Sequence, residues 1–175
     1  MSDDPVFDAA VAIVLGHEGG FQNDAADPGN WSGGAVGAGA CLGTKYGIAA
    51  ATHPGVDIAN VNEDDARAIY RREWWDRLGL ARLPSPLGTK LFDAAVNLGA
   101  NPAVTCFQRA LNQVGGAVAE DGLLGPATIA AASQAPADAA LAALREALAA
   151  HYRQIVTRHP DRARFLAGWL ARAYS

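Results

Sequence analysis

A change of rhythm along the chain limits what it can fold into. Residues 5–17 and nearly everything after residue 60 place apolar side chains at helical spacing, whereas residues 21–53 are dense in Gly, Asn, Asp and Pro without a sustained period. In the first of these stretches Val6, Phe7, Ala10, Val11 and Val14 fall on one stripe, Pro5 suits a first helical turn, and Gly19-Gly20 ends the helix. The stretch that follows reads as loop with a short β-ribbon, and the Gly/Ala-rich residues 33–43 should be flexible or tightly turned. Half the residues are apolar, enough for a real core, and the wealth of Ala and Leu against 7% aromatics favours helix over sheet.

The later helices carry their own boundary signals. Asn62 caps a helix whose first turn is Glu63-Asp64-Asp65, acidic where the dipole favours it, and the pattern runs to about residue 78. Pro84 and Pro86 open another, with Leu87, Leu91, Ala94, Ala95 and Leu98 inward. Further helices are expected over 102–114, 127–133, 137–158 and 162–173. No internal repeat is visible. The expectation is a mainly α chain with a small loop and β-ribbon lobe after its first helix. Its N-terminal region, 1–90, and its helical C-terminal region, 91–175, are expected to pack as one globule.

Several function classes are disfavoured. Net charge is -4, and although residues 145–175 carry six Arg against Glu146 and Asp161, the chain is not basic overall with Lys and Arg clustered among aromatics, so nucleic acid is not an expected partner. Met1-Ser-Asp-Asp-Pro-Val lacks the basic-then-apolar order of a signal peptide, and no apolar run approaches the ~20 residues of a membrane span. The expectation is a monomer made in the cytoplasm, carried outward by other machinery if it acts beyond the membrane. Cys41 and Cys106 form no disulfide framework; two separate thiols and a bridge formed after export both fit. His17-Glu18 begins like a zinc-protease helix, but Phe21 stands where the second His belongs, and His53, His151 and His159 have no ligand spacing. No metal and no cofactor are expected.

The candidate chemistry lies around the first helix end. A carboxylate at position 18 meets the negative end of the helix, a field that favours its protonated form and suits a general acid; an exposed Glu beside a Gly cap is the plainer alternative. Eight residues separate Glu18 from Asp27, which precedes Pro28-Gly29, and Thr44 follows in Gly43-Thr44-Lys45-Tyr46-Gly47-Ile48. Glycosidases need one carboxylic acid for the leaving oxygen and a second carboxylate for water or the cation. Asp27 before Pro also fits a plain turn, and Asp24 rivals it for the second role.

Here the residues carry a likeness. His17-Glu18-Gly19-Gly20-Phe21, Asn23-Asp24, Asp27-Pro28-Gly29 and Thr44-Lys45-Tyr46-Gly47-Ile48 resemble the N-terminal signature of the glycoside hydrolase family 108 muramidases, usually phage endolysins or prophage lysozymes. The likeness continues through Tyr70-Arg-Arg-Glu-Trp-Trp-Asp76, Leu91-Phe-Asp-Ala-Ala-Val-Asn97 and Phe107-Gln108-Arg-Ala-Leu111. It resumes in Asp121-Gly-Leu-Leu-Gly125 with Thr128 and ends in Phe165-Leu-Ala-Gly-Trp-Leu-Ala-Arg-Ala173, so it spans nearly the whole chain.

The resemblance implies a lysozyme-like fold and peptidoglycan as substrate, with Glu18 matching the family's catalytic glutamate. The order Glu18, Asp27, Thr44 is similar to the triad of phage T4-type lysozymes, in which Asp and Thr hold the hydrolytic water and the anomeric configuration inverts. One departure is plain: sixteen residues separate Asp27 from Thr44, where the family usually has a few. Phe21, Asn23, Asp24, Trp31, Tyr46, Asp93 and Asn97 are the candidate substrate contacts. Trp31 could stack on a sugar or merely pack. Asp93 and Asn97, one helical turn apart, could face a cleft or satisfy amides in the interior. Trp74 and Trp75 read rather as core and rim.

The second half resembles the family's peptidoglycan-binding region, and Asp121-Gly-x-x-Gly-Pro-x-Thr128 reads physically as a turn feeding a helix. The implied activity is an N-acetylmuramidase acting in the cell wall, reached by holin release or by a secretion apparatus, the latter with an immunity protein as partner. A lytic transglycosylase and a non-catalytic wall-binding protein are the alternatives.

Overall fold

The computed structural model describes residues 4–17 and 19–175, so Glu18 lies outside the described residues. Two compact units divide the chain, Met1–Glu73 and Trp74–Ser175. Seven α-helices and one two-stranded sheet stand among the described residues, the mainly α, lysozyme-like class expected. None of the helices is long and apolar enough, among the described residues, to cross a membrane.

The first unit opens with helix α1, Pro5–His17, whose Phe7, Ala10, Val11 and Val14 are buried at helical spacing; Val6 is half-buried. Its start is capped by Asp4, whose carboxylate accepts the Phe7 N–H at 3.0 Å. A short 3₁₀ turn follows at Pro28–Asn30, then strands β1, Thr44–Lys45, and β2, Ile48–Ala49. The strands pair antiparallel, Thr44 opposite Ala49 and Lys45 opposite Ile48. Two residues join them, Tyr46 at φ 51° and Gly47 at φ 75°. Positive φ at both central positions is the type I′ turn, whose twist matches a two-residue hairpin. A Tyr there is strained, and tertiary bonds hold it: its N–H donates to Gly19 O at 3.1 Å and its carbonyl accepts the Tyr70 hydroxyl at 2.9 Å.

The sixteen-residue departure is tightly turned. Trp31 and Cys41 form an antiparallel bridge, and inside it Ser32 N–H donates to Ala40 O at 2.9 Å and Gly33 N–H to Ala38 O at 3.0 Å. Helix α2, Glu63–Tyr70, begins at Asn62 with a reciprocal capping box to Asp65, as its first turn predicts. The helix expected to reach residue 78 changes character at Arg71–Asp76, where a π turn replaces α hydrogen bonding; the division between the units falls within that turn.

In the second unit helix α3, Ser85–Leu98, carries Pro86 in its first turn and buries Leu87, Leu91, Ala94 and Ala95, with Leu98 half-buried. Helices α4, Ala100–Gln113, α5, Pro126–Gln134, and α6, Ala137–Arg158, follow, and α6 packs against α3 and α4. The expected last helix starts late: Pro160–Phe165 is 3₁₀, and helix α7, Leu166–Tyr174, begins after it. Leu87, Leu91, Phe92, Phe107, Leu111 and Leu144 are fully buried, each contributing about 1.5–3 kcal/mol. Trp75 meets Phe92 edge-on with centroids 5.6 Å apart, and Tyr152 stacks on Trp169 at 5.4 Å.

Candidate active site

Of the expected catalytic set, Asp27 and Thr44 are described, and one polar knot joins them. Asp27 caps the Pro28–Asn30 turn, its Oδ1 accepting Gly29 N–H at 2.9 Å. Its other oxygen, Oδ2, accepts from Gln22 Nε2 at 3.3 Å. Gln22 and Asn30 pair amide to amide, Nε2 to Oδ1 at 3.1 Å and Nδ2 to Oε1 at 2.8 Å. Thr44 completes the chain by donating its hydroxyl proton to Asn30 Oδ1 at 2.7 Å. Asn30 is wholly buried, while Gln22 and Asp27 are exposed and Thr44 half-buried.

The backbone explains why these residues meet. Gln22 and Thr44 form an antiparallel bridge, exchanging N–H···O bonds of 2.9 and 2.8 Å. Asn30 O accepts from Leu42 and Gly43 N–H at 2.8 and 3.1 Å, which closes the sixteen-residue departure back onto its own start. Gly43 makes the approach possible: at φ 88°, a Cβ there would stand 2.6 Å from Gln22 O and 2.7 Å from the Phe21 ring.

The expected substrate contacts divide between the units. In the first, Phe21 is exposed, and Asn23 is exposed with its carbonyl 3.7 Å from the Cys41 thiol. Asp24 is exposed, and its Oδ1 accepts Ala26 N–H at 2.9 Å, closing a local turn. Trp31 is half-buried with its indole N–H on Ala25 O at 2.9 Å, so the rest of the ring is apolar surface. Tyr46 is half-buried beneath the Lys45 ammonium, which lies 5.6 Å from its ring centroid. In the second unit, Asp93 is buried and accepts from Arg172 Nε at 2.9 Å, with Lys90 Nζ at 3.5 Å. Burial lowers the Lys90 pKa against the pull of Asp93. Asn97 is exposed and accepts the Tyr152 hydroxyl at 2.7 Å; burial pushes that phenol up to about 12.

Sequence reasoning missed Gln22 and Asn30. The available signal was weak: an amide closing a Pro-Gly turn three residues after a candidate Asp, which also fits an ordinary loop. It missed the clamp on the hairpin too. His53 Nε2 lies 3.1 Å from Glu73 Oε2, and Nδ1 lies 3.2 Å from the carbonyl of Ala49, the residue opposite Thr44. Burial pushes the Glu73 carboxyl up, but hydrogen bonds from Arg72 and His53, with their charge, outweigh it and hold the group below its ordinary range.

Cys41 and Cys106 are both free, one half-buried and one buried; burial raises the Cys106 thiol to about 11. Among the described residues no group of three or more His, Cys, Asp or Glu is placed to hold a metal. The Asp121 turn is built from within the second unit. Buried Gln108 donates to Asp121 Oδ1 at 2.7 Å, Leu123 O at 3.0 Å and Thr128 Oγ1 at 3.2 Å, and accepts Gly122 N–H at 2.9 Å.

Comparison with known proteins gives two matches that together cover most of the chain. Residues 11–99 match the family model described as Glycosyl hydrolase 108. Residues 102–174 match the one described as Predicted Peptidoglycan domain. Among solved structures the chain is similar in fold to SagA of Brucella abortus, at 24% identity over 97% of this chain and 94% of that one, with a TM-score of 0.68. No curated protein matches.

Proposed function

The chain belongs to the glycosyl hydrolase 108 family, a glycoside hydrolase joined to a peptidoglycan-type domain, and from that premise we propose that it is an inverting N-acetylmuramidase. In this reading it cuts the β-1,4 bond between N-acetylmuramic acid and N-acetylglucosamine and so lyses cell walls. Glu18 protonates the glycosidic oxygen, and Asp27 with Thr44 holds the water that attacks the anomeric carbon. Phe21, Asn23, Asp24, Trp31 and Tyr46 contact the glycan in the same reading, whereas Asp93, buried and paired with Arg172, serves the interior of the second unit.

The observation that carries it is the knot through Gln22 and Asn30. Asp27 offers a carboxylate, and Thr44, its proton spent on Asn30, offers lone pairs. A water touching both donates both of its hydrogens and keeps a lone pair for attack. An enzyme that inverts needs such a water, so the Glu18 and Asp27 carboxyls should stand roughly 6.5–9.5 Å apart. Delivery to the wall by a holin or a secretion apparatus completes the reading, and the neighbouring genes tell the two apart.

The test is Glu18→Gln and wild type on purified peptidoglycan, with product masses read out. Hydrolysis adds one water to each cut, and the amide, unable to donate the proton, should lower turnover ~100-fold or more. Near-normal turnover in Glu18→Gln overturns the assignment. A 1,6-anhydro product from wild type replaces it with a lytic transglycosylase, and sacculi bound but uncut by wild type replace it with a wall-binding protein.

A further inference from the structure

We propose that Gln22 and Asn30 are positioning residues that lock which way the hydrogen bonds of Asp27 and Thr44 run; the inference rests on the reading that those two hold the hydrolytic water. A backbone carbonyl can only accept. Asn30 faces Asp24 O at 2.9 Å, so that end of its amide is Nδ2, and the other end, Oδ1, can only accept. Thr44 at 2.7 Å therefore has no choice but to donate inward.

Gln22 is oriented by the same logic. Its Oε1 receives Asn30 Nδ2 at 2.8 Å and Asp24 N–H at 3.1 Å, two groups that can only donate. Its Nε2 is left pointing at two acceptors, Asn30 Oδ1 at 3.1 Å and Asp27 Oδ2 at 3.3 Å. Asn30 is 0% exposed and uses both amide protons and both lone pairs of Oδ1, so neither amide can flip without leaving a buried group unpaired. Without Asn30 the Thr44 hydroxyl is free to turn its proton outward and compete with the water for the donor role. The amide pair touches neither the water nor the sugar. It acts only through the two residues that do.

The experiment measures kcat and KM on solubilised peptidoglycan glycan strands for a small set of variants, each checked by far-UV circular dichroism. Gln22 is exposed, so Gln22→Met keeps the fold, and it should lower kcat ~10-fold or more with KM within about 2-fold of wild type. Asn30→Leu should behave alike. Its effect should persist beside Thr44→Ser, which keeps the hydroxyl, and be smaller beside Thr44→Val, where no proton is left to orient and only the Gln22–Asp27 bond remains to disturb. Normal kcat in folded Gln22→Met overturns the proposal, as does a loss confined to KM or an equal loss in the Val and Ser backgrounds. If Asn30→Leu does not fold, Gln22→Met decides alone. Should Asp27→Asn and Thr44→Val both turn over normally, the water-holding reading has failed and the positioning proposal falls with it. If those two are crippled while Gln22→Met is normal, only the positioning proposal is lost.

Discussion

His53 and Glu73 close a clamp on the back of the hairpin that carries Thr44, Nε2 to Oε2 at 3.1 Å, with the other ring nitrogen beside Ala49 O. Ala49 is the residue paired with Thr44, so this clamp and the Gln22–Asn30 knot hold the two-stranded ribbon from opposite strands.

The clamp has a pH signature. Glu73 has its folded-state pKa held below the usual 4.5. Such a group contributes stability above that value and loses it as pH falls through the folded value. Wild type should therefore melt at a higher temperature than Glu73→Gln at pH 7, with the gap closing as the pH falls below 4.5 and through the lowered folded-state value. Melting curves across that range check it, and a gap that widens in acid would count against the clamp.

Asp24 and Asp27 should separate cleanly in kinetics. Asp24 uses its Oδ1 to close a local turn onto Ala26 N–H, a bond that the Oδ1 of Asn makes equally well. Asp24→Asn should keep turnover within ~3-fold of wild type, whereas Asp27→Asn, which loses the carboxylate itself, should cost ~100-fold. Peptidoglycan turbidity assays decide, and the reverse pattern would move the second role to Asp24.

Gly43 has no room for a methyl. Gly43→Ala combines a left-handed φ of 88° with a Cβ 2.6 Å from Gln22 O, so it should destabilise by about 2 kcal/mol in urea unfolding. Because it lies between Leu42 and Thr44 in the ribbon bonded to Gln22 and Asn30, activity should fall further than stability alone explains.

In the second unit, Gln108→Leu should cost about 2–3 kcal/mol, since Gly122 N–H loses its side-chain acceptor and Asp121 and Thr128 lose a donor in one step. The thermal midpoint reads this, and a midpoint within a degree of wild type would show that the Asp121 turn stands without it.

The amino-acid order alone determined the helical parts. Residues 5–17 and 137–158 appear as helices with those bounds, and Asn62 caps the next with Asp65, because capping and 3.6-residue periodicity act over a few neighbours and leave a local trace. The short motifs that carry the family resemblance were legible as well, as residue types in a fixed order along the chain. Tertiary structure decided the rest. Only folding brings Gln22 against Thr44 across twenty-one intervening residues, and only the burial this produces gives Asn30 a single possible orientation. The π turn at Arg71–Asp76 and the 3₁₀ start at Pro160 likewise escaped the periodicity. A hydrogen bond between distant residues has no period to read, and its direction is set by whichever acceptors surround it once water is gone.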